Sequence, residues 1–159
     1  SKQRGGWDSS EYFTTADIHN MGGTASADAY AFRAYWRPEE SGSATPEISV
    51  GYDMISFDNH ALNVTEGSGY FVGLTWKDMI QADDKIGVAI GQAVKATEVS
   101  AATTLTALDE VDPFMWEAYY SFKPNDSITV TPAIWGGTNV SRNDNEDVFG
   151  TMLTTTFKF

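Results

Sequence analysis

The 159-residue chain contains no cysteine, so no disulfide can stabilise it and no thiolate is available for catalysis or zinc binding. Long apolar runs are also missing. No stretch approaches the ~18 residues that a membrane-spanning helix needs, and the mean hydropathy is -0.30. Basic residues are few, since 10 Lys and Arg stand against 22 Asp and Glu for a net charge of -12. This imbalance argues against nucleic acid and anionic lipid headgroups as partners.

Residues that could carry catalysis or bind a metal are few and scattered. The two histidines, His19 and His60, lie in loop-like stretches with no ligand spacing around them. The acidic run at residues 143–147 lacks the glycine and the closing glutamate of a calcium loop, so we interpret it as a solvated loop. The order of a catalytic serine, histidine and aspartate is also missing. The sequence therefore predicts no enzyme, no metal site and no cofactor.

Period-two alternation of apolar and polar residues dominates the chain, with almost no helical periodicity. Clusters of glycine, asparagine, aspartate and proline separate the alternating segments, as turns require. Tight connections at one end and long ones at the other are typical of an outer-membrane barrel. The tight connections are 78–84 and 123–127, 38–46 is somewhat longer, and the long ones are 56–68, 93–113 and 137–148. The predicted strands are 29–37, 47–55, 69–77, 85–92, 114–122, 128–136 and 149–159.

Sorting the strand residues by parity separates two faces. One of them, the apolar face, carries no charge within the predicted strands, and its aromatic residues lie near strand ends with aliphatic residues between them. Tyr and Trp favour membrane interfaces because their rings are apolar while the OH or NH reaches water. A sandwich core has no reason to place aromatics at both ends. The predicted lipid-facing girdle residues are Tyr30, Trp36, Tyr70, Trp76, Phe114, Trp116, Tyr120, Phe122 and Phe149, and Phe157 with the terminal Phe159 is the predicted assembly signal.

The opposite face, the charged face, takes every charge of the predicted strands. Serine and threonine alternate there with Gly51, Gly73, Gly87, Gly91 and Gly150, small residues that leave space. A small polar lining suits a water-filled bore better than the packed interior of the smallest barrels. The predicted pore-facing residues are Arg33, Arg37, Glu47, Asp53, Lys77, Lys85, Glu117, Tyr119, Lys123 and Lys158.

Five segments resemble the C-terminal half of the cyanobacterial outer-membrane porins in order and spacing across about residues 70–159. They are Gly73-Leu-Thr-Trp-Lys-Asp78, Ile86-Gly-Val-Ala-Ile-Gly-Gln92, Trp116-Glu-Ala-Tyr-Tyr-Ser-Phe122, Ile128-Thr-Val-Thr-Pro-Ala133 and Thr154-Thr-Thr-Phe-Lys-Phe159. The resemblance implies an OprB-type carbohydrate-selective porin barrel. In that family the barrel follows an S-layer-homology domain that binds cell-wall polysaccharide.

The resemblance further implies a homotrimeric channel of about sixteen strands that is embedded in the lipid of the bacterial outer membrane. Small solutes such as inorganic ions or sugars would cross it passively. We expect this chain to be a fragment, the last seven or eight strands of one antiparallel transmembrane β-barrel domain. Residues 1–27 are predicted to be irregular or loop-rich, and residues 28–159 to be transmembrane strands. The missing N-terminal domain would supply the wall contact.

Charge selectivity follows from the predicted topology as a hypothesis. Five basic residues, Arg37, Lys77, Lys85, Lys123 and Lys158, should form a basic rim at the periplasmic end. The outer loops should form an acidic vestibule through Asp109, Glu110, Asp112, Asp144, Glu146 and Asp147.

Two alternative architectures stay open from the sequence. One is a soluble, aromatic-rich β-sandwich that binds glycans. The other is a closed, non-conducting structural barrel of eight strands, with the eighth drawn from residues 7–15.

Overall fold

The computed structural model describes residues 27–39, 44–57, 64–99, 113–139 and 147–159, which form one antiparallel sheet. Its seven strands pair strictly in chain order. Within these ranges no helix is long and apolar enough to cross a membrane. The strands are β1 Ala27–Trp36, β2 Glu47–Phe57, β3 Val64–Lys77, β4 Lys85–Val99, β5 Phe114–Asn125, β6 Ile128–Thr138 and β7 Val148–Phe157.

The seven predicted strands are confirmed, and the largest boundary differences lie in one hairpin. Strand β3 starts at Val64 rather than at residue 69, and β4 continues to Val99 rather than to residue 92. Register shifts between Ser68 and Tyr70, and between Val64 and Gly67, indicate β-bulges in this extension. The pattern did not extend the predicted strand before residue 69 because Gly67 has low strand propensity, whereas the backbone at Gly67 and Ser68 still pairs with β4.

The register fixes which residues share a face. Directly opposite residues of an antiparallel pair lie on the same side of the sheet. On one side, Trp36 pairs with Ile48, which pairs with Leu74, which pairs with Val88, and Val88 pairs with Ala118. Similar rows run to β7, where Pro132 faces Leu153. The apolar face is therefore one continuous surface across all seven strands.

The described chain is a single layer with little hydrophobic core. Its buried apolar side chains are those of Ile55, Phe57, Pro113 and Ala133, while large residues such as Phe149 and Leu153 are more than two-thirds exposed. A sandwich needs a second sheet packed on the first, usually with a Greek-key strand order. Among the described residues there is one sheet in simple up-and-down order, which favours the barrel architecture over the sandwich. The all-β antiparallel fold is confirmed as part of a barrel wall, with the sheet not closed on itself.

The two ends of the sheet differ in their connections. At the turn end, the end where β1, β3, β5 and β7 finish, β5 and β6 are joined through Asp126 and Ser127. The Ser127 N–H donates to Asn125 Oδ1 at 3.0 Å, and the Lys158 N–H donates to the Ser127 carbonyl at 2.8 Å. The opposite end, the loop end, carries the long connections, which lie largely outside the described residues. The predicted turn at 78–84 is confirmed, and the predicted tight connection at 123–127 is confirmed in a shorter form, because β5 continues to Asn125.

Several sequence predictions lie outside the described part of the chain. They concern His19, the strand candidate at residues 7–15, and His60 in the connection after β2. They also concern the acidic residues of the long loops, Asp109, Glu110, Asp112, Asp144 and Glu146.

The turn between β3 and β4 is built around the buried carboxylate of Asp84, which has no exposed surface. The backbone N–H groups of Met79, Ile80 and Gln81 donate to it at 2.9 to 3.0 Å. The Tyr120 hydroxyl of β5 donates to Asp84 Oδ2 at 3.1 Å. Asp78 and Asp83 adopt positive φ angles of 56° and 64°, which a short polar side chain tolerates. The Asp84 carboxylate thus connects the β3–β4 turn to strand β5.

Burial of Asp84 opposes its ionisation, but the backbone N–H groups and the Tyr120 hydroxyl outweigh burial and hold the pKa of this carboxyl below its ordinary value. A lowered folded pKa means that the ionised carboxylate stabilises the fold at pH values above the unfolded pKa of about 3.9. That stabilisation is lost as the pH falls through the folded pKa.

Replacing Asp84 with Asn should destabilise the fold by roughly 2–3 kcal/mol at neutral pH, because a carboxamide offers one acceptor oxygen and brings a buried NH2 group. The measurement is urea-dependent folding into lipid vesicles between pH 2 and pH 7. The difference between wild type and D84N should be constant above about pH 5 and should shrink below about pH 3.9. A difference that does not change with pH would contradict this role for the ionised carboxylate. Asp126→Asn, in the other described turn, is the matched control.

Candidate functional site

The candidate site is the charged face, and the register places the predicted residues on the expected sides. Eight of the predicted pore-facing residues lie in strands on the charged face, while Arg37 and Lys158 directly follow β1 and β7. All nine predicted girdle residues lie on the apolar face, as the pairs Tyr70 with Tyr52 and Trp116 with Ile90 illustrate. Phe157 pairs with Ile128, and Phe159 lies beyond the strand, fully exposed. Which medium each face meets remains a prediction.

Aromatic rings cover glycines on the charged face. The ring of Phe71 lies on Gly51, that of Tyr119 on Gly87 and that of Trp135 on Gly150, and in each case the two residues are direct cross-strand partners. A Cβ at any of these glycines would overlap the ring atoms. Each ring therefore rests against the neighbouring backbone. The inference that these glycines leave open space is wrong at these three positions, because the register brings an aromatic residue opposite each one, and it is wrong at Gly91, where an added Cβ would lie 2.8 Å from the Tyr70 carbonyl oxygen.

Gly73 is the exception among these glycines. The nearest heavy atom to a Cβ added there is the Ser49 Cβ at 3.9 Å. The space predicted for the lining is thus present at Gly73.

Arg33 is held in place by contacts on three sides. Its Nη2 donates to both carboxylate oxygens of Asp53, at 2.7 and 2.9 Å, and its Nη1 donates to the carbonyls of Phe32 and Tyr52. The guanidinium carbon lies 5.5 Å from the centre of the Phe71 ring, within cation–π range. Since the Arg33 side chain is half exposed, the pair contributes little to stability. The Arg33–Asp53 pair instead holds a charged group in one position on the sheet surface.

Glu47 is the most buried charged residue of this face and lies near the turn end. Lys77 donates directly to its Oε1, Arg37 lies 3.8 Å from the same oxygen, and the Tyr35 hydroxyl bonds this carboxylate. Lys123 forms a second ion pair at this end, 3.4 Å from Asp83. Three of the five basic residues predicted to form a basic rim are therefore paired with carboxylates.

The rim hypothesis changes accordingly. The described structure shows no ion pair for Lys85 or Lys158, nor for Glu117, the fourth residue of β5. A uniformly basic rim is wrong, because Glu47 comes from the start of β2 and Asp83 from the tight turn, and sequence alone did not place either beside a lysine. Within the described residues no group of three or more His, Cys, Asp or Glu could hold a metal ion.

Sequence reasoning missed Phe71 and Trp135 as charged-face aromatics, and it missed Asp84. The parity of Phe71 and Trp135 was available in the sequence. Their glycine partners were not, since a partner is known only once the register is known. For Asp84, the sequence predicted only that it lies in a tight turn, and not that its carboxylate is buried there.

The contact of Tyr119 with Gly87 predicts a matched pair of effects. Gly87→Ala should destabilise folding by about 1–3 kcal/mol, because the new methyl group forces the Tyr119 ring off its neighbour. Gly73→Ala should leave stability unchanged or slightly raised, because that site has room. Urea-dependent folding into lipid vesicles measures both. Adding Tyr119→Ala to G87A should restore part of the loss, and equal effects of G87A and G73A would contradict the packing described here.

Comparison with known proteins agrees with this geometry. The chain is 29% identical over 133 residues to the uncharacterized protein alr4550 of Nostoc sp. (strain PCC 7120), an overlap that covers 82% of this chain and 22% of that protein. The chain thus spans about a fifth of the length of the curated relative it matches. No solved structure matches the chain.

A family model described as "Carbohydrate-selective porin, OprB family" matches residues 4–159. Nearly the whole chain is matched, and it belongs to the carbohydrate-selective porin family OprB.

Proposed function

We propose that this chain forms part of the wall of an outer-membrane diffusion pore. The apolar face meets lipid, and the charged face lines a water-filled channel that small hydrophilic solutes, sugars among them, cross passively. The observation that carries the proposal is the register. It places an apolar face on one side of the sheet, and this face carries no charge between Tyr30 and Trp36 on β1 or between Tyr70 and Trp76 on β3. The opposite side of the sheet holds the paired charges.

Strand length supports a transmembrane wall. The shortest strands, β1 and β7, have 10 residues each. At about 3.4 Å per residue and a tilt of about 40°, 10 residues span about 26 Å along a barrel axis, close to the ~25 Å apolar band of such barrels. The apolar face ends near the loop end, where Asp28 pairs with Ser56 and Ser56 with Glu66. Polar residues thus begin where the band should stop.

The sheet edges support a larger barrel. Among the described residues, β1 pairs with β2 and β7 with β6, and each has one unpaired edge. Unpaired backbone groups in hydrocarbon cost several kcal/mol each. In the membrane, further strands pair with both edges, and the chain's share of 22% of its Nostoc relative leaves ample length for them. The homotrimer and the wall-binding domain remain predictions from family resemblance.

The aromatic rings of the charged face support sugar as a solute. Phe71 and Trp135 are each about two-fifths exposed, so one side of the ring rests on the sheet and the other is open. A flat, immobile ring offers a stacking surface to the C–H face of a sugar at small entropic cost. Glu117, directly opposite Trp135, adds a hydrogen-bond acceptor for sugar hydroxyls.

Single-channel recording of the full-length protein in planar bilayers tests the pore. Stable conductance steps that added sugar blocks are the expected result, and silence would contradict the proposal. Trp135→Ala should weaken sugar block roughly 3- to 10-fold, because the stacking surface is lost. Trp116→Ala is the matched control, since Trp116 also covers a glycine, Gly136, but on the apolar face. Equal effects of the two substitutions would refute sugar stacking on the charged face.

The Glu47 pairs generate a prediction about ion selectivity. Glu47→Gln leaves Lys77 and Arg37 without their carboxylate, so anions should be favoured near the turn end. The zero-current potential across a tenfold salt gradient should move toward the chloride potential, most strongly at low salt. The double variant Glu47→Gln with Lys77→Gln should return close to the wild-type value. An unchanged potential in E47Q would show that this cluster does not face the conducting path.

A further inference from the structure

The tight turn between β3 and β4 presents two exposed apolar side chains at its tip. Ile80 is 71% exposed and Met79 is 44% exposed. Both backbone N–H groups are bonded to the Asp84 carboxylate, so the tip is a fixed element of the fold. Turns that face water are built mostly from Gly, Pro, Asn, Asp and Ser, so two adjacent exposed apolar side chains at a rigid tip are unusual.

The hydrogen bonds of Asp84 determine which way the tip turns. The Asp78 N–H donates to the Asp84 carbonyl at 3.1 Å, which continues the β3–β4 ladder by one pair. Asp84 has the parity of Ile86, which pairs with Tyr120 on the apolar face. The Tyr120 hydroxyl reaches the Asp84 carboxylate, so that carboxylate lies on the apolar side of the sheet. Because Met79 and Ile80 direct their N–H groups to it, the turn bends toward the apolar face.

Other groups at the turn end also lie on the apolar side of the sheet. The indole N–H of Trp76 donates to the Ala44 carbonyl at 2.9 Å, which brings the connection between β1 and β2 to the apolar face. Tyr120 stacks on Phe122 with a centroid distance of 5.3 Å. The tip of the turn therefore continues an aromatic edge of the apolar face.

The depth of the turn matches a membrane boundary. Gly73 lies midway between Tyr70 and Trp76, the aromatic ends of the apolar face on β3, and Asp78 follows five residues later. Five residues at about 3.4 Å cover about 17 Å along the strand, or about 13 Å along the axis at a tilt of about 40°. Half of a ~25 Å apolar band is about the same distance. The tip thus lies where hydrocarbon gives way to headgroups.

We propose that Met79 and Ile80 form a membrane-interface anchor, held against the lipid surface by the Asp84 carboxylate and the Tyr120 hydroxyl. The occupant of this apolar tip is the lipid layer that adjoins the apolar face. The inference rests on the proposed function, in which the apolar face meets lipid. The anchor fixes the depth of the turn end in the membrane.

Single cysteines in the full-length protein, made after replacing any native cysteine, test the anchor. Ile80→Cys, Leu153→Cys and Asp126→Cys are each labelled with an environment-sensitive fluorophore in phospholipid vesicles. Leu153 is the apolar-face reference, and Asp126 lies in the other tight turn at the same end. Position 80 should be quenched by a shallow spin-labelled lipid and protected from iodide, whereas position 126 should behave in the opposite way.

The outcomes separate the two proposals. If the label at 153 contacts lipid and that at 80 is quenched by iodide as strongly as that at 126, the anchor is refuted while the pore wall stands. If 153 is also open to iodide, the membrane assignment of the apolar face fails. Protection of position 80 from both quenchers would mean that protein covers the tip, and would also overturn the anchor. Asp84→Asn and Tyr120→Phe should each raise iodide quenching at position 80 severalfold, while Ser127→Ala should not.

Discussion

Strand register is the constraint on which the rest of this structure depends. Side chains alternate with period two, so a slip of one residue between any two strands would move a whole strand's side chains to the other face. Such a slip between β1 and β2 would separate Arg33 from Asp53 and direct one of the two charges toward the apolar side. In hydrocarbon that cost is several kcal/mol at mid-depth. The apolar face thus demands one register, and the ion pairs of the charged face agree with it.

Glycine and aromatic residues reinforce the same register at short range. Each ring that lies on a glycine fits because the partner has no Cβ, and for Phe71, Tyr119 and Trp135 a shift of one residue would place the ring against a side chain. The pairs occur on both faces, with Trp116 on Gly136 on the apolar side and Trp135 on Gly150 on the charged side. The result is a wall with flat rings, whose surface is shaped by paired residues from neighbouring strands.

Alternation along the chain was enough to predict the seven strands, their two faces and the tight turns. That information is local, since each strand carries its own pattern and each turn its own polar residues. The extension of β3 from residue 69 back to Val64 was not predictable from local preference, because pairing with β4 holds it. The partners of Glu47 and Asp84 also depend on contacts between strands. Lys77 is 30 residues from Glu47, and Tyr120 is 36 residues from Asp84. Sequence reasoning therefore predicted the strands and faces of the sheet correctly, but it did not predict that basic residues at the turn end are paired with carboxylates.

Those pairings bear on where this wall can distinguish solutes. At the turn end, Glu47 offsets one of the two positive charges of Lys77 and Arg37, and Asp83 offsets that of Lys123, so the field of these five groups is reduced but stays net positive. The loop-end half of the charged face differs. Glu117 has no ion pair in the described structure, and Trp135 directly opposite presents an open ring. Short-range stacking and hydrogen bonding act there on whatever touches the wall, and they suit an uncharged polyhydroxyl solute better than an ion. In the proposed pore, discrimination by this part of the wall depends on side chains of the loop-end half that a solute contacts, while the turn end supplies rigidity and a positive charge that two carboxylates reduce.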